Sequence, residues 1–153
     1  MPTATTQTLL LVEDEEDDIH FMKRALKSVG LLTDLQVAQD GATAIEYLAG
    51  RGVYADRARY PIPALVFLDL KLPRVMGLEV LRWIREQPDL DMMIVIVLTS
   101  SQLRSDIRTA YSLRANSYLV KPSNPLDLKG FVELVKRYWL DLNQPTSVGE
   151  KGK

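Results

Sequence analysis

The sequence predicts a doubly wound α/β fold: five parallel strands in one sheet, with helices on both faces. Strand-length apolar runs alternate with helical patterns five times along the chain, which is the signature of right-handed β-α-β crossovers. The third and fourth runs are continuously apolar, as strands covered on both faces should be. Four of the runs are followed by a polar residue: Asp14, Asp69, Thr99 and Lys121. Ligands of open parallel sheets bind at the carboxyl ends of the strands, so these four side chains are expected to meet.

Leu9, Leu10, Leu11 and Val12 form the first strand run. Ile19, Met22, Ala25 and Leu26, with Val29 one turn on, then recur at helical spacing until Gly30. Residues 35–38 make the second strand, and Ala44, Ile45 and Leu48 mark a helix that stops at Gly50. A longer connection rich in Arg and Tyr, residues 51–63, leads to the third strand at 65–68. Leu78, Leu81 and Ile84 define a helix ended by Pro88, and residues 93–98 are the fourth strand. Residues 105–113 are polar and weakly amphipathic, so helix there rests on the spacing of its neighbours. After a fifth strand at 118–120, residues 126–142 carry Leu128, Phe131, Val132, Val135, Tyr138, Trp139 and Leu142 at helical intervals, the strongest such pattern in the chain. The folded unit is expected to run from 9 to 142, with a flexible arm at 1–8. The tail from Asn143, containing Pro145, Ser147, Gly149 and Gly152, is expected to be disordered.

A chain of 153 residues is one ordinary domain, large enough to fold without staples. It has no cysteine, so no disulfide. The 19 basic residues do not exceed the 20 acidic ones, which disfavours direct nucleic-acid binding. Residues 1–8 lack the cationic and apolar regions of a secretion signal, and no apolar run is long enough for a bilayer. A cytoplasmic protein without membrane attachment is the expectation.

The strand-end residues form a phosphoryl-transfer set. Glu13 and Asp14 begin a run of six acids, Glu13 to Asp18, directly after the first strand. Such density is repulsive unless solvent or a cation relieves it, and oxygen ligands of this kind suit Mg²⁺. Asp17 and Asp18 equally suit the first turn of a helix, where the dipole favours acids. Asp69 follows Val66, Phe67 and Leu68 in FLDLKLPRVMG, and a carboxylate at the end of a buried strand must be paired, metal-bound or used. Used as a nucleophile, it accepts a phosphoryl group as an aspartyl phosphate. The Thr99 hydroxyl and the Lys121 ammonium can each take a phosphoryl oxygen, although Thr99-Ser100-Ser101 also reads as a helix cap. Lys121 precedes Pro122, where either peptide isomer is accessible. His20, the one histidine, reads as a packing or surface residue.

LLLVEDEEDD, FLDLKLPRVMG, LTSS and YLVKPSNP, in this order and spacing, resemble the receiver domain of two-component response regulators. The resemblance spans about residues 7–142 and implies the flavodoxin-like strand order 2-1-3-4-5. It implies that Asp69 is the phosphoacceptor and that Glu13, Asp14, Asp69 and the Lys71 main-chain carbonyl serve Mg²⁺, Glu13 through water. By the same resemblance Thr99 is the switch hydroxyl, Lys121 the phosphoryl-binding lysine and Tyr118 the aromatic switch. Lys71 stands where Asn or Met is frequent, which predicts an altered autodephosphorylation rate. Ser100 replaces a commonly smaller residue.

The long 51–63 connection, the DLKLP turn and the terminal RYWLDL resemble, more narrowly, the single-domain regulators that partner phytochrome histidine kinases. This implies a sensor histidine kinase as phosphodonor, in light signalling, and a homodimer through the fourth helix, fifth strand and fifth helix. Phe131, Tyr138 and Trp139 are the candidate interface residues. A stand-alone regulator, acting by protein-protein contact rather than substrate turnover, is expected, since no output domain follows within the 153 residues. A haloacid-dehalogenase-like phosphohydrolase is the alternative enzyme class, but it wants an acid where Lys71 stands. A flavodoxin-like electron carrier would place its phosphate loop on the six acids. A receiver-shaped scaffold without phosphorylation would have no use for the intact site.

Overall fold

The computed structural model describes residues 7–32, 35–146 and 148. Five strands, β1 (Leu9–Val12), β2 (Leu35–Ala38), β3 (Leu65–Leu68), β4 (Ile94–Thr99) and β5 (Ser117–Val120), form one sheet in the order β2-β1-β3-β4-β5. Every pairing is parallel. The continuously apolar strands β3 and β4, with β1, are buried along their whole length because each has a neighbour on both sides and helices on both faces. β5 and, apart from the buried Ala38, β2, both at the edges, are only half-buried. Thr99 belongs to β4 itself, one residue beyond the expected end of the run.

Side chains alternate across the strands, so the sheet divides the core in two. Leu10, Val12, Val66, Leu68, Val95 and Val97 face α2 (Gly41–Ala49), α3 (Gly77–Glu86) and α4 (Arg104–Ser112). Leu9, Leu11, Leu65, Phe67, Ile94, Ile96 and Leu98 face α1 (Glu16–Ser28) and α5 (Leu128–Val135). The predicted positions Ile19, Met22, Ala25 and Leu26 of α1 are all buried, as are Ala44 and Leu48 of α2 and Leu81 and Ile84 of α3.

The terminal helix differs from its expectation. The stretch is divided into a tight 3₁₀ turn (Pro125–Asp127), the α-helix α5 and a wide π-helical segment (Lys136–Leu142). Pro125 and the Asn124 side chain, which accepts from the Leu126 N–H, set the entry turn. In the π segment the wider i→i−5 winding breaks the 3.6-residue phase. Tyr138 and Leu142, in phase with the core by spacing, are therefore 58% and 68% exposed.

The 51–63 connection is ordered by its own residues. Tyr54 and Tyr60 pack on Tyr47 of α2, and the Tyr47 hydroxyl donates to the Pro61 carbonyl at 2.8 Å. Arg57 donates to the Tyr47 and Leu48 carbonyls at 2.8 and 2.9 Å, closing the end of α2. Residues 1–6, 147 and 149–153 of the expected arm and tail lie outside the described residues. Among the described residues of the arm and tail, the Thr8 carbonyl accepts from the Ala64 N–H at 2.8 Å and Val148 packs on the core.

One contact links the fold directly to the strand ends. At Gly77, the first residue of α3, a Cβ would stand 2.1 Å from the Asp69 carbonyl oxygen and 2.6 Å from the Leu70 Cα. Both neighbours are backbone, so neither can step aside cheaply. The Gly77 N–H donates to the Leu70 carbonyl at 2.9 Å, tying α3 to the turn that carries Asp69. Gly77→Ala is expected to lower the unfolding free energy by about 2 kcal/mol, as overpacking does. Urea denaturation will measure it, and an unchanged midpoint would show that the turn is free to shift.

Candidate functional site

The parallel register brings the expected residues to one edge. Val12, Leu68 and Val97 lie side by side across β1, β3 and β4, so Glu13 and Asp69 follow adjacent strands. Lys121 follows β5, and its N–H donates to the Thr99 carbonyl at 2.8 Å. Glu13, Asp69 and Thr99 are buried at 2%, 6% and 0% exposure, while Asp14 is half-buried and Lys71 exposed. Among the described residues every peptide bond is trans, Lys121–Pro122 included.

The Lys121 ammonium is the electrostatic centre. Its Nζ donates to Glu13 Oε1 at 2.6 Å, Asp18 Oδ2 at 2.7 Å and Asp69 Oδ2 at 2.9 Å. Asp69 Oδ1 accepts from the Lys71 N–H at 3.3 Å, and Glu13 Oε2 accepts from the Asp14 and Glu15 N–H groups. Asp18, which the sequence leaves between cation relief and the helix dipole, stands in the first turn of α1. Its partnership with Lys121 spans 103 residues, and nothing in the acid run distinguishes it from Asp17.

These contacts pull the buried acids apart. Burial works to raise the Asp69 carboxyl, but the Lys121 hydrogen bond and charge and the Thr99 hydroxyl outweigh it and hold Asp69 below its ordinary value. At Glu13 burial dominates and the Asp69 charge adds to it, so that the carboxyl is pushed up to about 7 despite Lys121. Burial disfavours the charged Lys121, yet Asp18, Asp69 and Glu13 together raise it above a normal lysine. One ammonium among Glu13, Asp14, Asp18 and Asp69 leaves the pocket short of positive charge. Glu13, Asp14 and Asp69 each offer an oxygen within 4.8 Å of the others, a donor set that fits a divalent cation.

Beyond Thr99 the chain is held by Ser101, which is the residue that secures the turn before α4. Its hydroxyl donates to Asp106 Oδ2 at 2.5 Å and accepts from the Leu103 N–H, while its own N–H donates to Thr99 Oγ1 at 3.4 Å. The Tyr118 hydroxyl donates to the Ser101 carbonyl at 2.9 Å, with its ring half-buried. Ser100 is exposed. The structure thus places Thr99, Ser101 and Tyr118 in one connected strip beside Asp69. The remaining candidates lie elsewhere: Phe131 and Trp139 are half-buried against the α5 face of the core, and Tyr138 stands edge-on to Trp139. With Leu119 and Leu134 they line an apolar groove of about 250 Å³ along the edge strand β5. His20 is exposed on α1.

Residues 9–133 match the family model of the response regulator receiver domain. The chain belongs to this family. It is 40% identical over 136 residues to a probable methanogenesis regulatory protein, FilR2, of Methanothrix harundinacea, covering 89% of this chain and 85% of that one. To the response regulator Rcp1 of Synechocystis it is 36% identical, covering 88% and 90%. The Mn²⁺-bound structure of Rcp1 superposes with a TM-score of 0.81 at 35% identity, over 92% of this chain and 99% of that one. The phosphorylated cyanobacterial phytochrome response regulator RcpA gives 0.85 at 33% identity, with the same coverage. These likenesses confirm the strand order and both levels of the family resemblance.

Proposed function

We propose that this response regulator takes a phosphoryl group from a sensor histidine kinase onto Asp69, with Mg²⁺, and later loses it by hydrolysis. The observation that carries the reading is a buried Asp69 carboxylate kept ionised by Lys121, beside Glu13 and Asp14. An Asp69 oxygen attacks the phosphorus of a phosphohistidine in line. The P–N bond breaks, the imidazole keeps the electron pair and takes a proton from water, and an acyl phosphate remains on Asp69. Attack of water then releases inorganic phosphate and restores the carboxylate. Glu13, Asp14, Asp69 and the Lys71 carbonyl are the residues that would hold Mg²⁺, which supplies positive charge beside the phosphoryl oxygens. Lys121 and the Thr99 hydroxyl take phosphoryl oxygens, and Tyr118 gives up the Ser101 carbonyl as its ring turns inward. The phosphorylated RcpA and the Mn²⁺-bound Rcp1 support both halves of this reading.

Incubation with acetyl phosphate and Mg²⁺ should add one phosphoryl group to the intact mass, and EDTA should prevent it. No gain with Mg²⁺ present would remove the proposal. A phytochrome kinase is the donor that Rcp1 and RcpA suggest, although FilR2 carries a name without light in it. Phosphotransfer from a phytochrome kinase, compared with a kinase lacking a photoreceptor, separates the two.

The groove along β5 is proposed as a homodimer interface, lined by Phe131, Tyr138 and Trp139. Leu134, Tyr138 and Leu142 are 69%, 58% and 68% exposed, more large apolar surface than one terminal helix needs toward solvent. Tyr138→Ala/Trp139→Ala is expected to halve the solution mass measured by light scattering. An unchanged dimer would place the interface elsewhere.

A further inference from the structure

Among the described residues, the side chain that the phosphoryl chemistry leaves without a task is Asp18, although it is bonded as closely as the others. A lysine ammonium has three N–H donors, and at Lys121 all three are engaged by carboxylates, at 2.6, 2.7 and 2.9 Å. No donor remains for a phosphoryl oxygen. For Lys121 to take one, a carboxylate has to release it. The side chains of Glu13 and Asp69 are 3% and 7% exposed, so releasing either before the phosphoryl group arrives would leave a buried carboxylate without its ammonium; Asp69 gives up its charge only once the acyl phosphate has formed. That of Asp18 is 38% exposed, and water can replace its lost bond. A cavity of about 30 Å³ bordered by Asp18, Lys121, Glu13, Met22 and Pro122 has room for that water.

We infer that Asp18 is a positioning residue that occupies one donor of Lys121 in the unphosphorylated protein and yields it to the incoming phosphoryl group. Asp18 thereby acts as a brake: each phosphorylation event must first break its bond to Lys121. The inference rests on the proposed phosphorylation of Asp69 and adds to it a residue that touches neither the phosphoryl group nor the metal ligands.

The measurement is the rate of phosphoryl uptake from acetyl phosphate with Mg²⁺, in which the P–O bond to the acetyl group breaks and acetate leaves. Asp18→Asn keeps the shape and removes the charge, and is expected to raise the rate roughly three- to fivefold, the upper end of the range for loss of a solvent-exposed charged partner. Asp18→Glu is expected to restore a rate near wild type. Asp17→Asn is the control, because Asp17 occupies the same helix turn, is exposed and makes no ion pair among the described residues. It should leave the rate within about twofold of wild type, since a solvated surface charge couples weakly. Equal acceleration by Asp17→Asn would reduce the effect to general repulsion of the anionic donor and overturn the inference. So would a slower Asp18→Asn protein, or failure of Asp18→Glu to restore the brake. A wild type that takes no phosphoryl group would instead overturn the functional reading itself. Thermal unfolding of each variant separates these outcomes from misfolding, as a purely structural Asp18 would alter the melting midpoint without accelerating uptake.

Discussion

Asp69→Asn is expected to abolish the phosphoryl gain from acetyl phosphate and Mg²⁺ while leaving the fold intact. The substitution conserves volume at a site that is 6% exposed, so packing around β3 and the Gly77 contact should survive. What disappears is the nucleophile, since an amide oxygen has neither the charge nor the basicity to attack phosphorus. The electrostatics favour the variant's stability. Glu13 and Asp69 share Lys121 in a buried pocket, and the Asp69 charge is among the causes that raise Glu13. Removing it relieves repulsion, so the melting midpoint should hold or rise. Opposed to this is the lost hydrogen bond from a charged donor, about 1.5 kcal/mol or more, which the asparagine oxygen can recover in part. Intact-mass spectrometry and calorimetry read the two effects separately. Phosphoryl label persisting on the variant would show a different acceptor and displace Asp69 from the mechanism.

The site was legible because a parallel sheet converts sequence order into spatial coincidence. Each acceptor or donor lies at a strand end or within two residues of it, so Asp14, Asp69, Thr99 and Lys121 could be gathered before any distance was known. The paired register then fixes their depth, which explains why Glu13 and Asp69 are both buried although 56 positions separate them in the sequence. Asp18 was not legible. It lies in a helix, where its neighbours Glu16 and Asp17 satisfy the same dipole argument, and only the approach of β5 selects it as the partner of Lys121. Ser101 was likewise hidden, since a hydroxyl pattern such as Thr99-Ser100-Ser101 does not say which member turns inward. The terminal helix failed for a third reason. Its apolar spacing is correct for an α-helix, but spacing assumes constant winding, and the π segment from Lys136 changes the phase midway. The exposure of Tyr138 and Leu142 follows from that change and could not be read from periodicity.

Glu13 gives the protein a pH dependence opposite to that of most acids. Its carboxyl lies near 4.5 in the unfolded chain and is pushed up to about 7 in the fold by burial. Between those values the native state binds a proton that the unfolded chain has lost, so native stability falls as pH rises through this window. The whole penalty is present above the folded value and amounts to on the order of 3 kcal/mol. Asp69, held below its ordinary value by Lys121, acts in the other direction, but its contribution changes only at and below the ordinary aspartate range. Wild type is therefore expected to unfold at lower urea at pH 8 than at pH 6, and Glu13→Gln to remove most of the difference. A cation that binds only the native state should offset the penalty by mass action. Added Mg²⁺ is accordingly expected to raise the wild-type midpoint at pH 8 and to raise that of Glu13→Gln less, because the variant has one fewer charge to neutralise. Identical pH profiles for the two proteins without Mg²⁺ would mean that Glu13 remains ionised throughout, with Lys121 alone compensating its burial.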